Sequence, residues 1–286
     1  MKMLGKPSVS ADESYEKCTN GIANSVLKSD FDSSKSGYSE WANVYDALAA
    51  SGDLYSIKPL IHKRGDDPLV FGGIRKSNLT RLYDYYMVKK QPARQIYDDI
   101  MLSADDKCPY CGGVGRPRTL DHYLPKSKFP QFSVLPTNLV PCCRDCNSES
   151  KNTSISTTAE DQVIHPYFDD LCFFIDQWIM AKVTQDDPCA LVYFVNPPDH
   201  WSPVNKERAK HHFLEFDLAV RYSIQAGEEL TTLIDQRKGF MKALDPHQFS
   251  SYLSSIGNTD TLFVNHWKRI MYQTLAADTW FYSEKF

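Results

Sequence analysis

CPYCGGVGRPRTLDHYLPKSKFPQFSVLPTNLVPCCRDCN, residues 108–147, is the stretch whose reading decides the fold. It opens on one CxxC pair, Cys108 and Cys111, and closes on another, Cys143 and Cys146. Each pair can present two thiolates to one ion, and zinc held by four thiolates is tetrahedral and closed, hence structural. The 31 residues between the pairs exceed the 15–20 of a simple zinc ribbon, so a further element is inserted between the knuckles. Cys142 stands outside the two-residue spacing and reads as a small buried residue. Nine prolines and glycines between Pro109 and Pro141 leave room only for brief strands, near Thr119–Tyr123 and Asn138–Pro141, with a short helix opening near Cys143 or Arg144.

Inside the insert lie Asp121 and His122, then Asn138, then Asn147 directly after the last knuckle cysteine. This ordered set resembles the HNH endonucleases with their ββα-metal site, here in an HNN variant, and the resemblance covers residues 108–151. It implies a phosphodiester hydrolase acting on DNA. His122 is then the expected general base, since an imidazole near its ordinary pKa suits proton abstraction at neutral pH. Asp121 and Asn147 are expected to offer oxygen ligands to a catalytic Mg²⁺ or another divalent cation. The resemblance gives Asn138 the task of bonding backbone in the long loop and fixing the His-bearing segment. Adjacent strand residues point to opposite faces, so joint action of Asp121 and His122 on one metal predicts a twist or bulge between them. Lys126, Lys128, Arg144 and Lys151 are candidate phosphate contacts. Family members often carry a Lys three residues after the final His or Asn; here that position is Ser150, and Lys151 follows it. His165, in IHPYFDD, is either a turn residue packed on the core or an extra ligand.

Outward from the motif the chain reads as helical. Tyr38, Trp41, Val44, Tyr45 and Leu48 share one face after a polar break at 29–37, and Leu82, Tyr83, Tyr86 and Met87 share another. Pro92 can open a helix carrying Ile96, Tyr97, Ile100 and Met101 inward. WIMAKV (178–183) and CALVYFV (189–195) predict a β-hairpin. Phe213, Phe216, Val220 and Ile224 predict one continuous stripe, with His211 and His212 on the helix surface. Asp245-Pro246 is a helix start, Gly257 its end, and a last helix runs through Trp267, Ile270 and Met271. Trp178, Trp201, Trp267 and Trp280 are expected in the core. The expected fold is α+β and mainly helical: a helical region 1–104, a zinc-bound ββα-metal unit 105–170, and a hairpin plus helices 171–286.

Composition excludes other classes. With 286 residues, 42% apolar and 24% charged, the chain is ordinary globular stock, and no apolar run is long enough for a membrane span. No export signal is apparent, so a cytoplasmic location and reduced cysteines are expected. The net charge of −4 would disfavour a polyanion partner, yet residues 58–94 hold nine Lys/Arg against three Asp/Glu and residues 107–151 hold seven against three. The motif therefore lies in a basic third of an acidic chain. Two rivals stand beside the nuclease: a non-catalytic zinc-dependent nucleic-acid-binding module, and a nuclease subunit gated by a partner such as an ATPase. Phage defence, restriction and mobile elements are the settings the resemblance implies.

Overall fold

The structure, a computed structural model, describes residues 1–148 and 155–283. The expected Lys151 contact lies outside them.

The chain runs α1 (Ala11–Thr19), α2 (Ser25–Ser33), α3 (Lys35–Ser51), β1 (Leu69–Phe71), β2 (Ile74–Arg75), α4 (Lys76–Arg81) and α5 (Ala93–Leu102). The ββα unit follows as β3 (Thr119–His122), β4 (Leu139–Cys142) and α6 (Arg144–Ser148). The last part holds α7 (Cys172–Ile175), β5 (Ile179–Val183), β6 (Leu191–Val195), α8 (Pro203–Glu215), α9 (Leu218–Lys238), α10 (Pro246–Gly257), α11 (Trp267–Ala277) and α12 (Thr279–Ser283). The fold is α+β and mainly helical, and among the described residues its sheets are three antiparallel pairs, β1–β2, β3–β4 and β5–β6.

Two apolar cores hold these elements. One gathers α1, α3, the helical rod 76–89 and α5 around Phe31, Tyr38 and Leu82, and takes Leu120, Val134 and Leu139 from the motif. The other joins the four knuckle cysteines to Trp178, Phe213, Phe216, Tyr222 and α9–α12. Face alternation in a strand explains the split: β3 sends Leu120 into the first core while its neighbours point elsewhere. Capping follows the sequence at α10, where Asp245 accepts from the Gln248 amide and Gln248 returns the bond to Asp245 N–H.

Three expectations change. The polar stretch 29–37 is not a break: its first half completes α2, anchored by fully buried Phe31, whose carbonyl accepts from Tyr15 Oη at 2.9 Å. The stripe through Phe213 does not continue, because Asp217 adopts left-handed backbone (φ 47°) and restarts the helix in a new phase. Phe213 and Phe216 are buried while Val220 and Ile224 are exposed. Gly257 ends α10 as expected, and it also serves close packing: a Cβ there would sit 2.8 Å from the Gln273 backbone nitrogen on α11. His212 is buried completely, not on the surface. Of the four tryptophans expected inside, Trp178 and Trp201 are buried and Trp267 and Trp280 pack against the same core half-exposed.

Candidate active site

The four knuckle sulfurs converge. Cys108, Cys111, Cys143 and Cys146 are buried and their Sγ atoms all lie within 4.8 Å of one another. Four thiols in that space, with no carboxylate or histidine among them, are the donor set of a closed tetrahedral zinc site. Cys142, one residue earlier on β4, is buried against the group, its thiol reaching Cys108 and Cys146, without being one of the four that converge. The surroundings suit thiolate charge. Gly115 N–H donates to Cys111 Sγ at 3.3 Å, and Arg221 on α9 donates to Cys146 Sγ at 3.1 Å while also reaching Asp145 at 3.3 Å. The hydrogen bond from Cys108 is the main influence lowering the Cys143 thiol to about 7. Gly115 has no alternative, since a Cβ would meet the Cys143 Cβ and Sγ at 2.6 Å.

Beside the thiolate cluster opens a cavity of about 330 Å³ whose wall includes Asp121, Lys128, Asn147, Asp161, His211 and Glu215. Asp121 comes from β3 and Asn147 from α6, one residue after Cys146. Consecutive residues on a helix point about 100° apart, so α6 gives one side chain to each site. A carboxylate and an amide oxygen facing an open, partly polar space are ligands suited to a hard divalent cation.

His122 lies elsewhere. β3 and β4 pair without a register shift, Thr119 opposite Cys142 through His122 opposite Leu139, so the expected bulge is absent. Regular alternation therefore turns His122 away from the face of Asp121, and it is not part of the cavity wall. Its Nε2 is 2.9 Å from the Ser133 carbonyl, and its ring stands edge-on to Tyr83 with centroids 4.4 Å apart. Asn138 staples the loop between the strands: its Oδ1 accepts from Leu124 N–H at 2.8 Å, and its Nδ2 donates to the Leu124 and Phe132 carbonyls. The segment 123–125 that forms one rim of the cavity is thus fixed from β4.

The charged candidates separate. Lys128 lines the cavity. Lys126 is engaged by Asp84 and lies over the Tyr83 ring. Arg144 is exposed at the start of α6. His165 packs in the core, Nε2 3.2 Å from Tyr45 Oη and Nδ1 accepting from Tyr167 N–H, and does not line the cavity.

The far wall comes from α8, which carries no part of the motif. Two buried polar side chains hold it. Arg208 forms a salt bridge to Asp169 with both side chains only 6% exposed, and it also donates to the Gln162 and Val163 carbonyls. His212 accepts from Ile164 N–H at 3.1 Å through Nδ1 and donates from Nε2 to Tyr110 O at 2.9 Å, inside the first knuckle. Burial pushes its pKa down to about 3, so it stays neutral. With Arg208 and His212 turned inward, His211 and Glu215, four residues apart on one helix face, look into the cavity. Burial lowers the His211 pKa, against the opposing pull of Asp161. This pair escaped the sequence reading, although its i, i+4 spacing beside a second histidine was visible.

Residues 108–153 match the HNH endonuclease family, so this segment of the chain is an HNH domain. Along nearly its whole length the chain is also similar to Protein ea31 of Escherichia phage lambda, with 34% identity over 288 residues, 96% of this chain and 97% of that protein. No solved structure matches the chain.

Proposed function

We propose that this chain is a metal-dependent endonuclease that hydrolyses phosphodiester bonds of DNA. The observation that carries this reading is the convergence of Asp121 and Asn147 on one open cavity beside a closed thiolate cluster. Binding alone has no use for such a pair. The phage relative favours a mobile-element setting over host defence.

Asp121 and Asn147 are the residues that would hold a divalent cation, Mg²⁺ in this reading. When bound, it supplies positive charge to the scissile phosphate and to the leaving 3′ oxygen. His122 keeps the proton-abstracting role that the family resemblance implies, although its ring lies on the face of β3 opposite Asp121 and outside the cavity wall, so the attacking water has to approach it from the end of the strand. With Nε2–H donated to Ser133 O, its Nδ1 carries the basic lone pair, and that carbonyl fixes the ring at the end of β3, where the chain enters the cavity rim. Asn138 holds that rim against β4, and Lys128 faces the phosphate. His211, neutral in its half-buried setting, accepts a hydrogen bond from water in the cavity.

The test is cleavage of supercoiled plasmid with Mg²⁺ by wild type and by Asp121→Ala and His122→Ala. Nicked or linear product from wild type alone is expected. Equal cleavage by the variants would sink the assignment.

A further inference from the structure

Residues 57–66, IKPLIHKRGD, leave the cavity wall and cross the surface with no regular structure before a turn at Arg64–Gly65. Both ends of the approach are tied to the site. Tyr55, itself on the cavity wall, donates its backbone N–H to Gln162 Oε1 at 3.0 Å, and Gln162 in turn donates to Gly52 O. Leu60 N–H donates to the carbonyl of Lys128 at 2.8 Å. Buried Ile57 and Leu54 root the segment in the core.

What this arm presents is cationic and apolar together. Lys58, Lys63 and Arg64 are exposed, and among the described residues no carboxylate lies within 4.0 Å of their charged groups. The nearby acids are engaged otherwise: Asp66 accepts from Lys63 N–H at 3.0 Å, and Asp67 accepts from Ser77 N–H and Oγ. Lys126 shows the contrast, being neutralised by Asp84. Between the cations stands Ile61, 90% exposed, a large apolar side chain with no core to serve. Unpaired cations beside a cavity that faces a polyanion release counterions on binding, and an exposed aliphatic wedge can pack against sugars and base edges in a minor groove.

We infer that residues 58–64 form a DNA-gripping arm in which Lys58, Lys63 and Arg64 bind backbone phosphates flanking the scissile one and Ile61 enters the minor groove of duplex DNA. This rests on the nuclease reading above and names how its substrate is held. The arm lies outside the matched HNH segment, so the grip belongs to the N-terminal region.

The test is duplex binding by zinc-loaded full-length protein without Mg²⁺, followed by fluorescence anisotropy of a labelled 24-mer between 50 and 300 mM KCl. Removing three phosphate contacts by K58Q/K63Q/R64Q should reduce the slope of log K against log salt by about 2.7, at roughly 0.9 per contact. Ile61→Ser should weaken binding several-fold with the slope unchanged. A triple variant whose slope stays within about 0.5 of wild type overturns the arm, and so does failure of wild type to bind duplex at 50 mM KCl. The nuclease reading fails separately: Asp121→Ala that cuts like wild type rejects it while leaving the slope comparison intact.

Discussion

The two ends of the β3–β4–α6 unit are built from neighbouring residues and yet are opposites. At one end four sulfurs are buried, touched by Arg221 and by Gly115 N–H, and leave no opening. At the other, Asp121 and Asn147 face an open space of about 330 Å³ walled by a helix from another part of the chain. Cys146 and Asn147 are consecutive, so a single residue step along α6 separates the closed thiolate cluster from the open cavity. The difference teaches that the thiolate end is scaffolding and the oxygen end is where a substrate atom can enter. Because they share one short helix, the second cannot hold its shape without the first.

The strongest way to break this contrast is to remove the zinc. Cys146→Ser, or chelation of the wild type, is expected to abolish both cooperative unfolding and cleavage, with metal content read by atomic absorption. A metal-free protein that melts normally would show that the thiolate end is not scaffolding. Next comes the oxygen end. His122→Ala should lower the cleavage rate by about 10²–10⁴, the contribution of a general base, while zinc content stays at one per chain. Arg221→Gln probes whether α9 supports the thiolates, and a loss of about 10–100-fold in zinc affinity, measured by competition with a chromophoric chelator, is the expected cost.

His212 sharpens the contrast through pH. Unfolded, it takes up a proton below about 6.5; folded, its pKa is about 3 because burial excludes the charge. A depressed histidine pKa means the unfolded state binds more protons between those values, so stability is full at high pH and falls as pH drops through 6.5 toward 3. Between pH 7.5 and 5 the loss should be about 2 kcal/mol from this group. His212→Gln should flatten that part of a urea-denaturation series, and an unchanged slope would count against a neutral anchor. The smallest effect belongs to His211→Ala. Loss of one hydrogen bond in the cavity predicts roughly a five- to tenfold slower rate. If this variant loses more than His122→Ala, the base lies on α8 and the roles of the two histidines exchange.

Much of the motif was legible because its chemistry is local. CxxC spacing, Asp-His and the Asn after the last Cys are short-range signals, and the strands, α6 and the β5–β6 hairpin fell where alternation and turns placed them. The capping box at Asp245 was readable for the same reason. What failed depended either on contacts between residues far apart in sequence or on a local backbone setting that periodicity does not report. Nothing near His212 announces that its partners are Tyr110 and Ile164. The phase change at Asp217 hides in a single backbone angle, and a periodicity count runs straight through it. The expected bulge came from asking two neighbours to serve one metal, whereas a regular ladder with Val140 and Leu139 opposite them separates their faces.

The dependence of the cavity on α8 has a consequence in the order of synthesis. All four cysteines, Asp121 and Asn147 leave the ribosome before residue 150, while Arg208, His211, Glu215 and Arg221 follow only in the last third. A nascent chain can therefore collect its zinc early but has no far wall to its cleft until α8 docks through Arg208–Asp169 and His212–Tyr110. The cavity is thereby completed later than the thiolate end it stands beside.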